Sequence, residues 1–594
     1  MVAIVGALLP LSAAAETVFV RANQVGYRPR DVKVGISFST APLPARFAVA
    51  EAAGGRVVFR GMARRAGGGP WATFGHHAEL DFSTLATPGR YVLCIGESFS
   101  LPFSIGDDVY SELPDALLEF MRQRRCGYNP WLGASCHALD GRTAYGSLPA
   151  GTTLDAAGGW HDAADLLKYL LTSSNATAQM LVAYLVGGSF AARPGGPVFS
   201  DRVDARGDEG GNGIPDLLDE ARWGLEWMLR LHPAPDVVAH QVADDRDHVG
   251  FRLPPDDTVD YGWGPGGARV VYLADGHPQG LRGYTSESAG LANLAGRYGA
   301  AMALAWQVWN ADPRERAFAQ RCLQAGREVY ELGRAREGVQ QGNSFGEPYR
   351  YEETTWTDDM EWGAAELYRA TGDRRYLEDA TRYAKLAGDE SWMGREQARH
   401  YQFYPFLNLG HYRLHGLVDR SLAAQLAGHY RAGIERCITV GKSNPYRIGV
   451  PFIWCSNNLT TALATQCLLL ERMTGERHLR RFGALQRDWL LGRNPWGTTM
   501  FTEVGGVFPT DVHLQTTKLT GRRVRGGLVD GPVAGRIFSS QLGVTIREPD
   551  ALAAFQDPRA VYHDDVGDYS TNEPTMDGTA SAILLWVLCA TQPR

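Results

Sequence analysis

Several segments of this chain are apolar on nearly every face of a helix, among them NATAQMLVAYLV, SAGLANLAGRYGAAMALAWQVW and MDGTASAILLWVLCA. A helix of that kind has to be covered on nearly every side. About a dozen helical segments follow one another after residue 107, joined by loops rich in Gly, Pro and Asp. An inner ring of helices shielded by an outer ring meets that demand, so the pattern predicts a closed all-α barrel of helical hairpins over 107–594. No internal repeat points to an open solenoid. The long loops 233–284 and 492–572 are expected to gather at one rim, where functional residues concentrate.

The first hundred residues read differently. TVFVRA, KVGISFS, RFAVAEA, GRVVFRG and GRYVLCIG are short and β-branched, with Gly, Pro and Asp turns between them. They predict a small all-β sandwich over 16–106. Before it, residues 1–15 hold an apolar run followed by Ala13, Ala14 and Ala15, the pattern of an export signal and hence of a secreted or periplasmic protein. A net charge of −7 over 594 residues offers no basic surface for nucleic acid, and no later stretch is long and uncharged enough to cross a membrane. Neither a nucleic acid nor a membrane is an expected partner, and the chain is expected to act as a monomer.

Two acidic motifs carry the chemistry. In GGWHDAADLLKYL two glycines close a loop before an apolar segment, which puts Asp162 and Asp165 at or near a helix start. Asp is a favoured cap there; the functional alternative is that both carboxylates, three residues apart, grip one water. More than 400 residues later, DDVGDYSTNEPTMDGTA sets Glu573 just before another helix. Hydrolysis of a glycosidic bond with inversion needs one carboxylate as base and one protonated carboxyl as acid across the bond, with room for water between them. Two helix-start carboxyls on one rim would supply that pair.

Cys126, Cys136, His137 and His161 form a possible tetrahedral zinc site; a Cys126–Cys136 disulfide is the competing reading. Asp208, Asn212 and Asp216 around a glycine turn, and Asp358 with Asp359, are calcium candidates, with polar loops and helix caps as the alternative. Trp160, Trp263, Tyr272, Trp356, Tyr404, Trp454 and Tyr569 lie in or beside the expected rim loops, where aromatic faces suit sugar rings. His248, Arg269 and His513 are candidate hydroxyl contacts.

GGWHDAADLLKYL resembles the aspartate signature of family 9 glycoside hydrolases, and DYSTNEPTMDGTA resembles the family's glutamate signature. VRANQVGYRP is similar to the immunoglobulin-like domain that precedes many barrels of this family. NGIPDLLDEARWGLEWML, YPFLNLGHY, GVPFIWCSNN and LLGRNPWG follow in the family's order. The resemblance implies an (α/α)6 barrel of six inner and six outer helices. It implies an inverting endo-β-1,4-glucanase with Asp165 as base, Asp162 helping to hold the water and Glu573 as acid. It also favours structural zinc over the disulfide, and supports calcium near Asp358. Two departures stand out: Ala164 replaces a glycine, and Gln515 stands where many members carry an arginine that touches sugar. Gln515 leaves open xyloglucan, mixed-linkage glucan or exo-attack on short oligosaccharides. A non-catalytic glycan-binding protein is the reading of another class, opposed by retention of all three carboxyls.

Overall fold

The computed structural model describes residues 17–191, 199–347 and 350–592. The export signal expected at 1–15 lies outside them. Ten strands come first: β1 (Phe19–Arg21), β2 (Gly26–Tyr27), β3 (Val34–Ser39), β4 (Arg46–Glu51), β5 (Val57–Met62), β6 (Arg64–Arg65), β7 (His76–Asp81), β8 (Gly89–Ile95), β9 (Ser98–Phe99) and β10 (Phe103–Ile105). They form two sheets, ordered β1-β3-β7-β6 and β2-β10-β8-β4-β5, with β9 on β8. Alternation along β8 turns Tyr91, Leu93 and Ile95 inward, where they meet Phe47 and Val49 of β4, Leu80 of β7 and Phe82 just after it. In β3 all six residues are buried, because one face fills the sandwich and the other, with Ile36 and Phe38, joins the core of the helical domain.

Fourteen α-helices follow among the described residues: α1 (Leu113–Gln123), α2 (Leu170–Ala191), α3 (Asp216–Arg230), α4 (Ala292–Trp309), α5 (Arg316–Ala335), α6 (Thr357–Thr371), α7 (Arg374–Ala387), α8 (Leu409–His415), α9 (Arg420–Gly441), α10 (Ser456–Thr474), α11 (Arg480–Leu490), the short α12 (Gln515–Thr520) and α13 (Gly535–Phe538), and α14 (Met576–Ala590). α2 packs on α4, α4 on α6, α6 on α8, α8 on α10, α10 on α14, and α14 back on α2. Each of these six carries an outer partner: α3 on α2, α5 on α4, α7 on α6, α9 on α8, α11 on α10, and α1 on α14. The sequence explains which helices go inside. Every residue of α4 from Ala292 to Ala305 is buried, whereas its neighbour α5 buries one stripe, Phe318, Ala319, Cys322, Ala325, Val329 and Tyr330 among it, and gives its charges to solvent.

The sandwich is bolted to the outside of this ring. Trp71 stands edge-on to Tyr446 at 5.2 Å and near Trp489 and Trp496. Around it, Asn23 Nδ2 donates to Asp488 Oδ1 at 3.0 Å, Gln24 Nε2 to Gly497 O at 2.8 Å, and Arg487 pairs with Asp31 at 2.9 Å. The segments resembling NQVGY and LLGRNPWG are thus two sides of one joint. No helix of the described residues is long and apolar enough to cross a membrane.

Candidate active site

Ring closure decides where the chemistry is assembled. The segment carrying Asp162 and Asp165 leads into α2, the segment carrying Glu573 leads into α14, and these two helices are neighbours. Segments entering α6, α8 and α10 bring Tyr351, Tyr401 and Trp454 to the same rim. The two aspartates are not on a helical turn, which corrects the expected helix start. They occupy a bend, a two-residue strand Lys168–Tyr169 follows, and α2 begins only at Leu170. The bend is closed by Asp162 N–H donating to Leu167 O at 3.0 Å. Nor does Glu573 cap α14, whose first turn has Thr575 at the cap position.

Two hydrogen bonds join the distant motifs. Ala164 N–H donates to Glu573 Oε1 at 2.7 Å, and Met576 N–H donates to Asp162 O at 2.9 Å. Asp165 accepts Leu167 N–H on Oδ1 at 3.0 Å, and its Oδ2 lies 3.9 Å from His248 Nε2. Asp162 lies deeper, taking the hydroxyls of Thr172 (2.6 Å) and Tyr351. Burial first, then the neighbouring Asp165, pushes the Glu573 carboxyl up to about 8. Burial, Asp165 and Asp577 raise Asp162 as well, although its two hydroxyl donors favour the charged form. Burial opposes a charge on His248, but its contact with Asp165 prevails and lifts the ring to about 9.

The bend is gripped on all sides. Arg124, fully buried, donates to the carbonyls of Ala163 and Asp165. Arg269 Nη1 donates to Leu166 O at 2.6 Å, and Asp247 Oδ2 accepts Leu166 N–H at 2.8 Å. Gln515 bonds Ala164 O and Arg252 N–H. Arg269 is therefore no sugar contact: it is 2% exposed and forks onto Asp140.

The aromatic candidates divide in the same way. Trp160 is fully buried, its indole N–H on Glu220 at 2.7 Å. Tyr272 donates to Asp244 from inside the core, and Tyr404 accepts from Asn175 there. Each was expected on the cleft because it sits in a rim segment; each turns inward because a buried polar partner takes its polar atom. Trp356 opens α6 and meets Tyr383 of α7 edge-on at 5.8 Å, and Trp263 lies beneath Arg142. Tyr569 and Trp454, half-buried, are 5.8 Å apart, and His513 lies 5.9 Å from Tyr569 with Phe251 behind it and its Nδ1–H on Val566 O. Beyond Trp454 the row continues to His400 and Tyr351. Phe251, His400, Tyr351, Tyr401 and Asp530 have no local pattern in the sequence. Asp530 is buried under the row, takes Trp454 Nε1–H at 2.7 Å, and donates its own N–H to Glu573 O at 2.9 Å.

Cys126, Cys136, His137 and His161 gather with their ligand atoms within 4.8 Å of one another, the only such His/Cys/Asp/Glu group among the described residues. The separations fit a tetrahedral ion: 4.0 Å between the sulfurs, 3.3 Å between the ring nitrogens, and 3.7 and 4.0 Å from sulfur to nitrogen, against about 2.3 Å for a zinc–sulfur bond and about 2.0 Å for zinc–nitrogen. Sulfurs 4.0 Å apart form no disulfide. His137 Nε2 meets Asp257 at 3.0 Å, the carboxylate partner a ligating histidine takes. The calcium candidates are not gathered in this way. Asp216 accepts Ser200 and the N–H groups of Arg202 and Val203, Asn212 donates to Asp219, and Asp208 accepts Tyr128. Asp359 pairs with the buried Arg297 at 3.4 Å beside Asp358.

Known proteins resemble this chain over most of its length. The endoglucanase C of Cellulomonas fimi is 26% identical over 613 residues, 96% of this chain, while this chain spans 51% of that protein, about half its length. A xyloglucan-specific endo-β-1,4-glucanase of Bacteroides ovatus is 23% identical over 594 residues, 95% of this chain and 92% of its own. A metagenome-derived glycoside hydrolase family 9 endoglucanase of solved structure superposes with a TM-score of 0.76 at 26% identity, over 97% of this chain and 99% of its own. Residues 15–100 match the cellulase N-terminal ig-like domain, and residues 110–587 match glycosyl hydrolase family 9. The chain thus belongs to glycosyl hydrolase family 9 and carries the immunoglobulin-like domain of its cellulases.

Proposed function

We propose that this protein is an inverting endo-β-1,4-glucanase in which Asp165 takes the proton of the attacking water and Glu573 gives one to the departing glycosidic oxygen. The observation that carries this reading is the Ala164 N–H bond to Glu573 Oε1. It fixes the acid against the residue next to the base. Oε2 takes no hydrogen bond from the described residues, and a carboxyl raised to about 8 keeps its proton at neutral pH, as a general acid must. Asp162 helps to hold the water. The sugar chain would lie along Trp454, Tyr569 and His513, with His248 beside the base. The six inner and six outer helices support reading the domain as an (α/α)6 barrel, with the sandwich ending near residue 106. Cys126, Cys136, His137 and His161 would hold a structural zinc, which supplies a cross-link beside Asp162 and no open position for water.

Asp165→Ala and Glu573→Gln are each expected to lower kcat on cellotetraose by roughly a hundredfold or more, with the α-anomer as first product of the wild type by NMR. Wild-type turnover by either variant, or a β-anomeric product, would sink the reading. A second reading keeps this chemistry for a branched glucan. Gln515 is buried, faces the bend and offers no guanidinium at its own position, and the Bacteroides ovatus relative is xyloglucan-specific. Initial rates on carboxymethylcellulose, xyloglucan and lichenan separate the two.

A further inference from the structure

We infer that Arg124 is a positioning residue for the general acid, acting through the peptide group that joins Ala163 to Ala164. The inference rests on the reading of Glu573 as that acid. Among the described residues, Ala164 N–H is the one hydrogen-bond donor to the Glu573 carboxyl, on Oε1 at 2.7 Å. The carbonyl of that same peptide group is Ala163 O, and it accepts Arg124 Nη2. A peptide group is planar and stiff, so holding its oxygen fixes where its N–H points. A cation on the oxygen also polarises the group and makes the N–H a stronger donor. Arg124 follows α1 directly and is fully buried. Among the described residues no carboxylate pairs with it. Nη2 gives to Ala163 O and, at 3.0 Å, to Asp165 O; Nε reaches His161 O at 3.4 Å, and Nη1 has no partner. A buried charge ordinarily takes a carboxylate; this one is given over to the bend.

The peptide groups of the bend are anchored unequally. The group between Asp165 and Leu166 is held at both ends, its carbonyl by Arg124 and its N–H by Asp247. The next one has Leu166 O on Arg269 and Leu167 N–H on the Asp165 carboxylate itself. The carbonyl taken by Gln515, Ala164 O, belongs to the group that carries Asp165 N–H. On the near side, Asp162 N–H closes on Leu167 O and Asp162 O takes Met576 N–H. Only the group between Ala163 and Ala164 has Arg124 at one end and Glu573 at the other. Removing the guanidinium leaves Asp165 between the Gln515, Asp247 and Arg269 anchors, and leaves that one group with nothing but the acid it has to aim. Docking of the segment on the end of α1 does not use the side chain: Arg124 O takes His161 N–H, and Cys126 N–H donates to Gly159 O, each at 2.8 Å. The base therefore keeps its place while the acid loses its direction. A group that hands over a proton at hydrogen-bond distance loses rate steeply when its oxygen is misplaced.

The role separates by leaving group. Cellotetraose needs a proton delivered to its departing oxygen, whereas dinitrophenolate leaves without one, so dinitrophenyl β-cellobioside reports on the base and the binding site alone. Arg124→Met keeps the apolar stem and removes every donor; Arg124→Lys keeps one charged donor and loses the fork. For Arg124→Met, kcat on cellotetraose is expected to fall roughly tenfold or more, with KM within about threefold and with dinitrophenyl β-cellobioside turned over within about threefold of wild type. Arg124→Lys should show the same selectivity, and Glu573→Gln should show it more strongly. Equal losses on both substrates would mean that Arg124 holds the bend as a whole. A change confined to KM would mean that the cleft has been reshaped, and unchanged kinetics would mean no role; each of these overturns the inference. If neither variant melts cooperatively, Arg124 is a structural residue and the inference falls too. A Glu573→Gln enzyme that cuts cellotetraose at the wild-type rate overturns the underlying reading together with it, whereas a crippled Glu573→Gln beside unaffected Arg124 variants overturns this inference alone.

Discussion

Glu573 is caught between an amide that wants its charge and a buried setting that refuses it. Its carboxyl, raised from an ordinary 4.5 to about 8, binds a proton in the folded protein over a range in which the unfolded chain has released it. Folding stability therefore falls as pH rises from about 4.5 towards about 8 on account of this group. Replacing it with the neutral glutamine removes that loss. Thermal melting of Glu573→Gln is expected to gain on wild type between pH 5 and pH 8, and a difference that stays flat with pH would contradict the assignment. With Glu573 as the proposed general acid, the same proton sets activity, so kcat/KM is expected to drop above about pH 8. The three carboxyls were legible because each lies inside a compact motif. Their partners were not: Tyr351 and Thr172 reach Asp162 from the entries to two different helices, and no spacing links them. Trp160 shows the reverse error. It sits in the motif itself, yet the indole drops beneath the bend to Glu220, a partner that only the packed fold reveals.

Between Leu166 and the Cys126, Cys136, His137 and His161 cluster runs a relay of side chains. Asp247 holds Leu166 N–H, Arg252 joins Asp247 to Asp257, and Asp257 holds His137. The hairpin of Gly127–Asn129 and Ala134–Cys136 that carries the cluster is thereby tied to the bend twice, through this relay and through His161 itself. Asp257→Asn is expected to weaken zinc affinity roughly ten- to a hundredfold in competition with a chelating dye. Stripping the ion should lower the melting temperature by several degrees; a melt indifferent to chelation would argue against a structural ion. The element pattern itself was readable where periodicity was strong, in α4, α5 and α14. It failed at the bend, because a helix was expected directly after the glycines and the chain instead spends Lys168 and Tyr169 on a strand paired with Gln241 and Val242.

The whole molecule is held by a joint that the β-domain cannot leave without cost. Trp71 is fully buried among Tyr446, Trp489 and Trp496, and Asp488 takes Asn23 from the far side. Trp71→Ala should cost about 3–5 kcal/mol in chemical denaturation, and removal of residues 17–106 should depress the melting temperature before it alters KM. A truncated domain that melts like the full chain would show the joint to be ornamental. Both domains were legible from their contrasting periods. The joint was not, because its two halves lie hundreds of residues apart and each half reads locally as a turn.

Closure of the helical ring also imposes an order in time. During synthesis the sandwich, the bend with Asp165 and five of the six inner helices emerge while Glu573 is still unmade, and the gap between α10 and α2 is filled only when α14 arrives. Until then Ala164 N–H has no carboxyl to hold and Asp162 O has no Met576 to meet. Arg28 grips the carbonyls of Cys589 and Gln592, 561 and 564 residues further along the chain. In a chain stopped before residue 573 Ala164 N–H thus lacks its carboxyl, and Asp165 and Glu573 come together only once α14 has been made.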